Sequence, residues 1–379
     1  MAPDDAHVAV IGGGVVGCAV AHALARRGVR SLVFEAEQGL ALAASGTNSG
    51  ILHTGFDSEP GKLETRLILR STALREQLLG DLGVAVKRCG ARLTPRDEQQ
   101  RATVARLADN ARVNDVEVLL EQDGSLLVPG EAVTDPVAFV QALAAAARSG
   151  GTAFVLNARV VGLTGAGGEG VSVELLGREA RRVRAVVNCA GLHADDVAQM
   201  VGEQPVCIYP RKGEFLVFSS AEPLRRILLP LPSALGKGVL VFPTIDGLVI
   251  AGPTARERED KEDWSVEPDA VELIRERAVR MFPALERAQQ IGAYAGLRPA
   301  GRGANYVIEP SRALPGLIHV AAIRSTGLSA SLAIGEHVAA MLAEHAGIEL
   351  HEERRLKAPR AQPGDRWWTR AARYHESAR

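Results

Sequence analysis

The stretch Gly12-Gly13-Gly14-Val15-Val16-Gly17 has the GxGxxG spacing of a phosphate-binding turn. In that pattern Gly12 permits a tight turn, Gly14 lets the backbone approach a pyrophosphate, and Gly17 lets a helix pack against the preceding strand. The first-turn N–H groups of such a helix, with the positive end of its dipole, favour phosphate. Glu35 follows Gly17 by 18 residues. A carboxylate there accepts the adenosine ribose hydroxyls and repels a 2′-phosphate, which argues against NADP. A second match, residues 165–170, lies between two strand-like runs and opens no helix, so it reads as a hairpin turn. The motif by itself leaves NAD and FAD both open.

Further side chains have types suited to a small substrate. His53 sits in a glycine-flanked loop, Ser49-Gly50-Ile51-Leu52-His53-Thr54-Gly55. An imidazole titrates near neutrality, which suits a base that takes a hydroxyl proton as hydride leaves the carbon. Taken alone, a histidine is more often structural. Arg298, in Gly296-Leu297-Arg298-Pro299, offers a planar guanidinium able to hold a carboxylate through two parallel hydrogen bonds. The alternative is a salt-bridged surface arginine. Arg324, before Ser325-Thr326-Gly327, is a second candidate cation. Arg211 and Lys212 are candidates for a dianionic substrate, although a solvated strand end is the plainer explanation. Tyr294 and Tyr209 are candidate pocket caps, or equally core residues with hydrogen-bonded hydroxyls.

These residues need elements to position them. Residues 7–35 read as a βαβ unit: a strand at 7–11, the glycine turn, a helix at 15–27 stopped by Gly28, and a strand at 30–35. A polar, glycine-rich loop at 45–61 precedes a helix at 62–82. Helical patterns recur at 97–112, 135–149, 269–282 and 326–345; strand patterns recur at 153–156, 160–163, 171–176, 183–188 and 317–322. Residues 206–255 carry several strand signals separated by Gly and Pro, consistent with an antiparallel sheet. The expected fold class is therefore α/β, with a Rossmann-like nucleotide-binding domain interleaved with an α+β substrate domain on an antiparallel sheet. The expected division is 1–83, 150–205 and 301–350 for the first domain and 84–149 and 206–300 for the second. Residues 351–379, with Trp367 and Trp368, are a surface appendage in this reading.

The 379 residues are 46% hydrophobic, enough for a buried core and two lobes, and the formal net charge of −1 gives no reason to expect nucleic acid as a partner. No apolar run is long enough for a transmembrane helix. The acidic N-terminus runs straight into a strand rather than into a cleavable leader, so a cytoplasmic location is expected. Contact with a membrane surface through 351–379 is the alternative. Cys18, Cys89, Cys189 and Cys207 form no CxxC pair, so no zinc, iron–sulfur or disulfide framework is indicated.

Several segments together carry a resemblance. ASGTNSGILHTGF (44–56), RKGEFLVF (211–218), GVLVFPTIDGLVIAGPT (238–254), YAGLRPA (294–300) and AIRSTGLSASLAIGEHVAAML (322–342) join the N-terminal motif. With them the chain resembles the D-amino-acid oxidase (DAO) superfamily of FAD enzymes. Within it, the chain is most similar to the L-2-hydroxyglutarate dehydrogenase and FAD-dependent glycerol-3-phosphate dehydrogenase branch, over nearly its whole length. The resemblance implies FAD as cofactor. It implies that 44–56 passes the flavin and presents His53 to its ring, and that Arg298 anchors a substrate carboxylate beside Arg324. Ser45, Thr47, Asn48, Ser49 and Gly50 are the implied contacts to the pyrophosphate and flavin edge. Ala36, Val160, Ala190 and Gly191 are further implied cofactor contacts. Ser325, Thr326, Gly327 and Leu328 open a helix whose N–H groups would stabilise charge on the reduced flavin.

The expected activity is oxidation of a small 2-hydroxy acid, L-2-hydroxyglutarate-like, to the 2-oxo acid by hydride transfer to flavin N5. Glycerol 3-phosphate is the near alternative, and an amino acid or secondary amine a more distant one. An amine loses its proton without a strong base, so His53 favours an alcohol. A non-catalytic flavin-binding subunit is the alternative outside enzymology, although a scaffold needs neither His53 nor Arg298. The electron acceptor is open among oxygen, a quinone and a carrier.

Overall fold

The computed structural model describes residues 7–167, 170–231, 238–358 and 366–370. The Val8–Ile11 strand is apolar at every position and buried at every position. Such a run needs cover on both faces, as in the middle of a parallel sheet. It pairs in parallel with Ser31–Phe34 on one side and Ala185–Asn188 on the other. Ala153–Val155 and Leu317–Ala321 extend the sheet in parallel, and Val307–Pro310 closes one edge antiparallel. Strands from three distant parts of the chain thus build one six-stranded sheet.

The Val15–Arg26 helix packs against Gly327–Ala346 and against Pro136–Ser149. The first contact requires Gly335, where a Cβ would lie 2.5 Å from the Ala19 carbonyl oxygen. Pro136–Ser149 starts where its sequence says it should: Asp135 accepts from the N–H groups of Val137 and Ala138, and Pro136 occupies the first turn. Its packing on Val15–Arg26 joins this helix to the nucleotide-binding lobe, across the expected boundary at residue 149.

Among the described residues, a nine-stranded sheet forms the second lobe. Its spine is the long antiparallel pair Ile208–Ser219 and Gln289–Gly301, in whose register Arg211 stands opposite Arg298 and Phe215 opposite Tyr294. Side chains alternate between faces along such strands. Arg298, Gly296 and Tyr294 therefore share one face, and Lys212 and Glu214 point to the other. A small sheet, Ile51–Leu52, Ala132–Thr134 and Val86–Lys87, joins the two lobes. Val160–Gly165, Val171–Leu175 and Arg181–Val183 form an antiparallel meander. Gly165 pairs with Val171, so the strands on either side of this stretch pair antiparallel as read; residues 168–169 lie outside the described ones.

After the last long helix the chain returns along the nucleotide-binding lobe. His351 and Arg354 donate backbone N–H groups to the carbonyls of Arg27 and Arg26, and Arg355 binds Asp81 through Nε at 2.6 Å. Trp367 and Trp368 are 5% and 8% exposed, packed into the main core. The part of 351–379 that is described is thus integrated rather than appended; 359–365 and 371–379 lie outside the described residues. No helix among the described residues is long and apolar enough to cross a membrane.

Candidate active site

A cavity of about 500 Å³ runs from the glycine turn to the end of the Gln289–Gly301 strand. The turn is built as its spacing demands. A Cβ on Gly12 (φ +108°) would lie 2.4 Å from the Cys189 carbonyl oxygen, and one on Gly17 2.0 Å from the Gly12 carbonyl oxygen. Gly14, by contrast, meets only Ser45 Oγ, at 3.0 Å, and faces the cavity. Ser45 Oγ accepts from the Val15 N–H at 2.9 Å, so this hydroxyl, not only a ligand, caps the helix. Val15, Val16 and Ser45 all line the cavity.

Glu35 lines the wall beyond the turn. Its Oε2 accepts from the Gly13 N–H at 2.6 Å and its Oε1 from the Glu37 N–H at 2.9 Å. Burial raises its carboxyl above the usual range, and these hydrogen bonds offset part of the rise. Each oxygen keeps a further lone pair for a ribose hydroxyl. Ala36, Val160, Ala190 and Gly191 also line the cavity, and Gly191 (φ +58°) has open space where a Cβ would stand.

Arg298 and Arg324 also line the cavity. Arg298 donates from Nε to the Arg211 carbonyl at 2.9 Å, and from Nη2 to the carbonyls of Lys212 and Thr254 at 3.1 and 2.9 Å. Its Nη1 has no acceptor among the described residues. Burial, then the charges of Arg211 and Arg324, push its pKa down to about 10; it remains cationic at neutral pH. Among the described residues Arg324 spends only Nε, on Asn305 Oδ1 at 2.9 Å. Ser325, Gly327 and Leu328 line it too, from the start of the Gly327–Ala346 helix.

His53 does not itself line the cavity. Its N–H donates to Ser329 Oγ at 2.8 Å, in the first turn of the helix whose Gly327 and Leu328 face the cavity. Its Nδ1 lies 2.9 Å from Glu131 Oε2, and its Nε2 has no partner among the described residues.

A sequence profile described as "DAO: FAD dependent oxidoreductase" matches residues 7–341. The chain belongs to this DAO family. It is 30% identical over 349 residues to a glycerol 3-phosphate dehydrogenase of Caloramator mitchellensis, covering 87% of this chain and 72% of that one. It is 26% identical to a mitochondrial L-2-hydroxyglutarate dehydrogenase of Arabidopsis thaliana, covering 89% and 84%. In fold it matches the FAD-bound L-α-glycerophosphate oxidase of Mycoplasma pneumoniae with a TM-score of 0.82 at 24% identity, covering 95% and 97%.

This DAO-family chain is an FAD-dependent oxidoreductase, and the cavity fits that cofactor. Gly14 and Gly191 leave backbone open to the cavity, where phosphates would approach closely, and Glu35 on the same wall would take a ribose. Asn48, which also lines the cavity, has its Oδ1 engaged by the Gly50 N–H at 2.9 Å.

Other expected residues are placed elsewhere. Thr47 is buried against Gly296; Ser49 Oγ accepts from Ile51 N–H; Gly50 (φ +76°) abuts the Thr134 carbonyl; none of these lines the cavity. Thr326 Oγ1 is taken up by Glu64 at 2.5 Å. Lys212 must be withdrawn as a substrate ligand. It is fully buried on the opposite sheet face, its Nζ held by Asp263 at 2.9 Å, Ser265 at 2.8 Å and Glu267 at 3.3 Å. Tyr209 donates to Glu257 and lies under Arg302, away from the cavity. Tyr294 does not line it either. Its ring stacks on Phe215 at 4.8 Å and meets the Trp367 edge at 5.3 Å, and its buried hydroxyl has no partner among the described residues. Cys18 and Cys189 are buried core residues whose thiols burial pushes upward, which leaves them unreactive.

Three parts of the site carry no sequence signal. Glu131 and Ser329 fix His53 from distant segments. The third is the segment after Thr254, whose Glu262 and Trp264 line the cavity while Lys261 binds Asp195 at 2.8 Å and Asp196 at 3.2 Å on the other lobe.

Proposed function

We propose that this oxidoreductase oxidises the secondary alcohol of a small anionic substrate, with glycerol 3-phosphate first and a 2-hydroxy acid such as L-2-hydroxyglutarate second. The observation that carries the anionic class is the pair of mutually close cations, Arg298 and Arg324, that line the cavity. The order of the two substrates reverses the expectation from the motifs. It rests on the 30% identity to a glycerol 3-phosphate dehydrogenase and, for Arg298, on its spent donors. A side-on carboxylate clamp needs Nε and Nη2 together, and both are committed to carbonyls. What is left is one end-on contact from Arg298 and a free fork on Arg324, which suits the several oxygens of a phosphate.

When bound, FAD supplies the acceptor for the hydride of the carbinol carbon. Arg298 and Arg324 hold the anionic group and so place the carbinol. His53 Nε2 takes the hydroxyl proton, which leaves the carbonyl product. The first-turn N–H groups of the Gly327–Ala346 helix set a positive field in the same cavity. Cytoplasmic location and the choice of oxygen, quinone or carrier as final acceptor remain parts of this reading.

An anaerobic screen tests it: purified holoenzyme is mixed with glycerol 3-phosphate, hydroxy acids and amino acids, and loss of oxidised-flavin absorbance is followed. Bleaching by glycerol 3-phosphate faster than by any hydroxy acid is the expected result. Bleaching by amines alone would overturn the alcohol class, and no bleaching by any of them would leave a flavin-binding subunit.

A further inference from the structure

We propose that Glu131 is a positioning residue for His53, setting which ring nitrogen faces the substrate as base. The inference rests on the alcohol-oxidising reading above and goes beyond it. Its origin is strand register. Ile51 pairs with Val133 and Leu52 with Ala132 in antiparallel register. Extending that register by one residue sets His53 opposite Glu131, 78 positions away in the chain.

The carboxylate is fully buried and fixed at both oxygens. Oε1 accepts from the Thr54 N–H at 2.7 Å and from Thr54 Oγ1 at 2.9 Å, which leaves Oε2 for His53 Nδ1 at 2.9 Å. An ionised carboxylate only accepts hydrogen bonds, so the proton of a neutral imidazole must sit on Nδ1. Nε2 is then the basic atom, and it is the nitrogen left without a partner among the described residues. The backbone is held as firmly: Ser329 Oγ takes the His53 N–H, and Arg75 Nη2 donates to the His53 carbonyl at 2.7 Å. Arg75, from the Leu63–Asp81 helix, is the charge that faces Glu131, and burial lowers its pKa to about 10 while Glu131 opposes that fall. Cys89 and Lys87 approach from the strand side, where Lys87 Nζ donates to the Thr244 carbonyl. A carboxylate placed behind a histidine in this way holds the tautomer and steadies the imidazolium formed on proton transfer.

The test compares Glu131→Gln, Glu131→Asp and His53→Ala with the parent holoenzyme, by rapid anaerobic mixing with the best substrate from pH 5 to 9. The Gln variant is expected to bleach about 100-fold more slowly at neutral pH, with KM changed little and the acid limb of the pH–rate profile moved to lower pH. The Asp variant, with the charge kept but drawn back by one methylene, is expected to recover most of the rate and the parent's acid limb. A slow Gln variant with an unmoved profile would mark Glu131 as merely structural, and a Gln variant equal to the parent would end the proposal. If Gln does not retain FAD, the Asp profile decides: loss of the acid limb there is equally fatal. Should His53→Ala bleach at the parent rate, the base assignment falls first; His53→Ala inactive with Glu131→Gln unchanged removes the positioning role alone.

Discussion

The Nε of Arg298 donates to the carbonyl oxygen of Arg211, its cross-strand partner, at 2.9 Å. The arginine thus ties the end of the long strand pair together as well as charging the cavity. The Arg324 side chain makes no comparable contact to a carbonyl among the described residues; its Nε donates to Asn305 Oδ1. The two cations differ in what their loss would do. Arg324→Ala should raise KM for the anionic substrate roughly 10- to 100-fold, the worth of a charge-assisted hydrogen bond, with the melting temperature nearly unchanged. Arg298→Ala should raise KM and also lower Tm, because three carbonyls lose their donor. Steady-state kinetics and thermal melts on both variants check this.

Gly14 and Gly17 sit three residues apart in the same motif but face different neighbours. Gly14→Ala adds a methyl toward the cavity and little else. It should weaken FAD binding about tenfold or more, about 1.4 kcal/mol, while the apoprotein melts near the parent temperature. Gly17→Ala drives a Cβ against the Gly12 carbonyl oxygen and should cost roughly 3 kcal/mol of fold stability. Flavin content per chain and apoprotein Tm separate the two effects.

Glu203 predicts an acid-sensitive lock on the Leu317–Ala321 strand. Burial alone would raise its carboxyl; hydrogen bonds from Ser311, His319 and the N–H groups of Arg312 and Ala313 outweigh that and hold it at about 2, against 4.5 ordinarily. A depressed folded-state value stabilises the fold above pH 4.5, and that contribution is lost as pH falls toward 2. Glu203→Gln should therefore be clearly less stable than the parent at pH 7, and the gap should narrow at pH 3. Urea titrations at the two pH values measure it.

Gly292 holds the C-terminal aromatic pair. A Cβ there would lie 2.4 Å from Trp368 Cζ3. Gly292→Val should release residues 366–370, seen as a red shift of tryptophan fluorescence and faster proteolysis near the C-terminus. Because both rings are packed inside, the intact protein should not sediment with anionic lipid vesicles, whereas the Gly292→Val variant gains exposed indoles. Co-sedimentation of the intact protein would show that the docked state opens.

The local elements were legible in the residues because each follows from short-range rules. Glycine spacing, an apolar strand and a carboxylate at its end specify the dinucleotide turn, and Asp135-Pro136 specifies a helix start. The interleaving of the two lobes was legible too, since strand–helix patterns recur after long gaps. Strand pairing between distant segments was not, because a strand's sequence records its burial and not its partner. That is why Lys212 reads as a surface cation in sequence and proves to be a buried one. The β-strand period places it on the far face, and only the fold brings Asp263 and Glu267 to it.

The sequence by itself determined the glycine turn and the residue types His53, Arg298 and Arg324, since these depend on spacing within a few residues, while the choice of FAD over NAD came from segments spread along the whole chain. Tertiary structure alone decided which donors of Arg298 remain free, that Glu131 stands behind His53, and that Trp367 and Trp368 close back on the main core. Hydrogen-bond partners and charge neighbours are properties of three-dimensional distance. A chain fixes them only when contacts separated by tens or hundreds of residues form together.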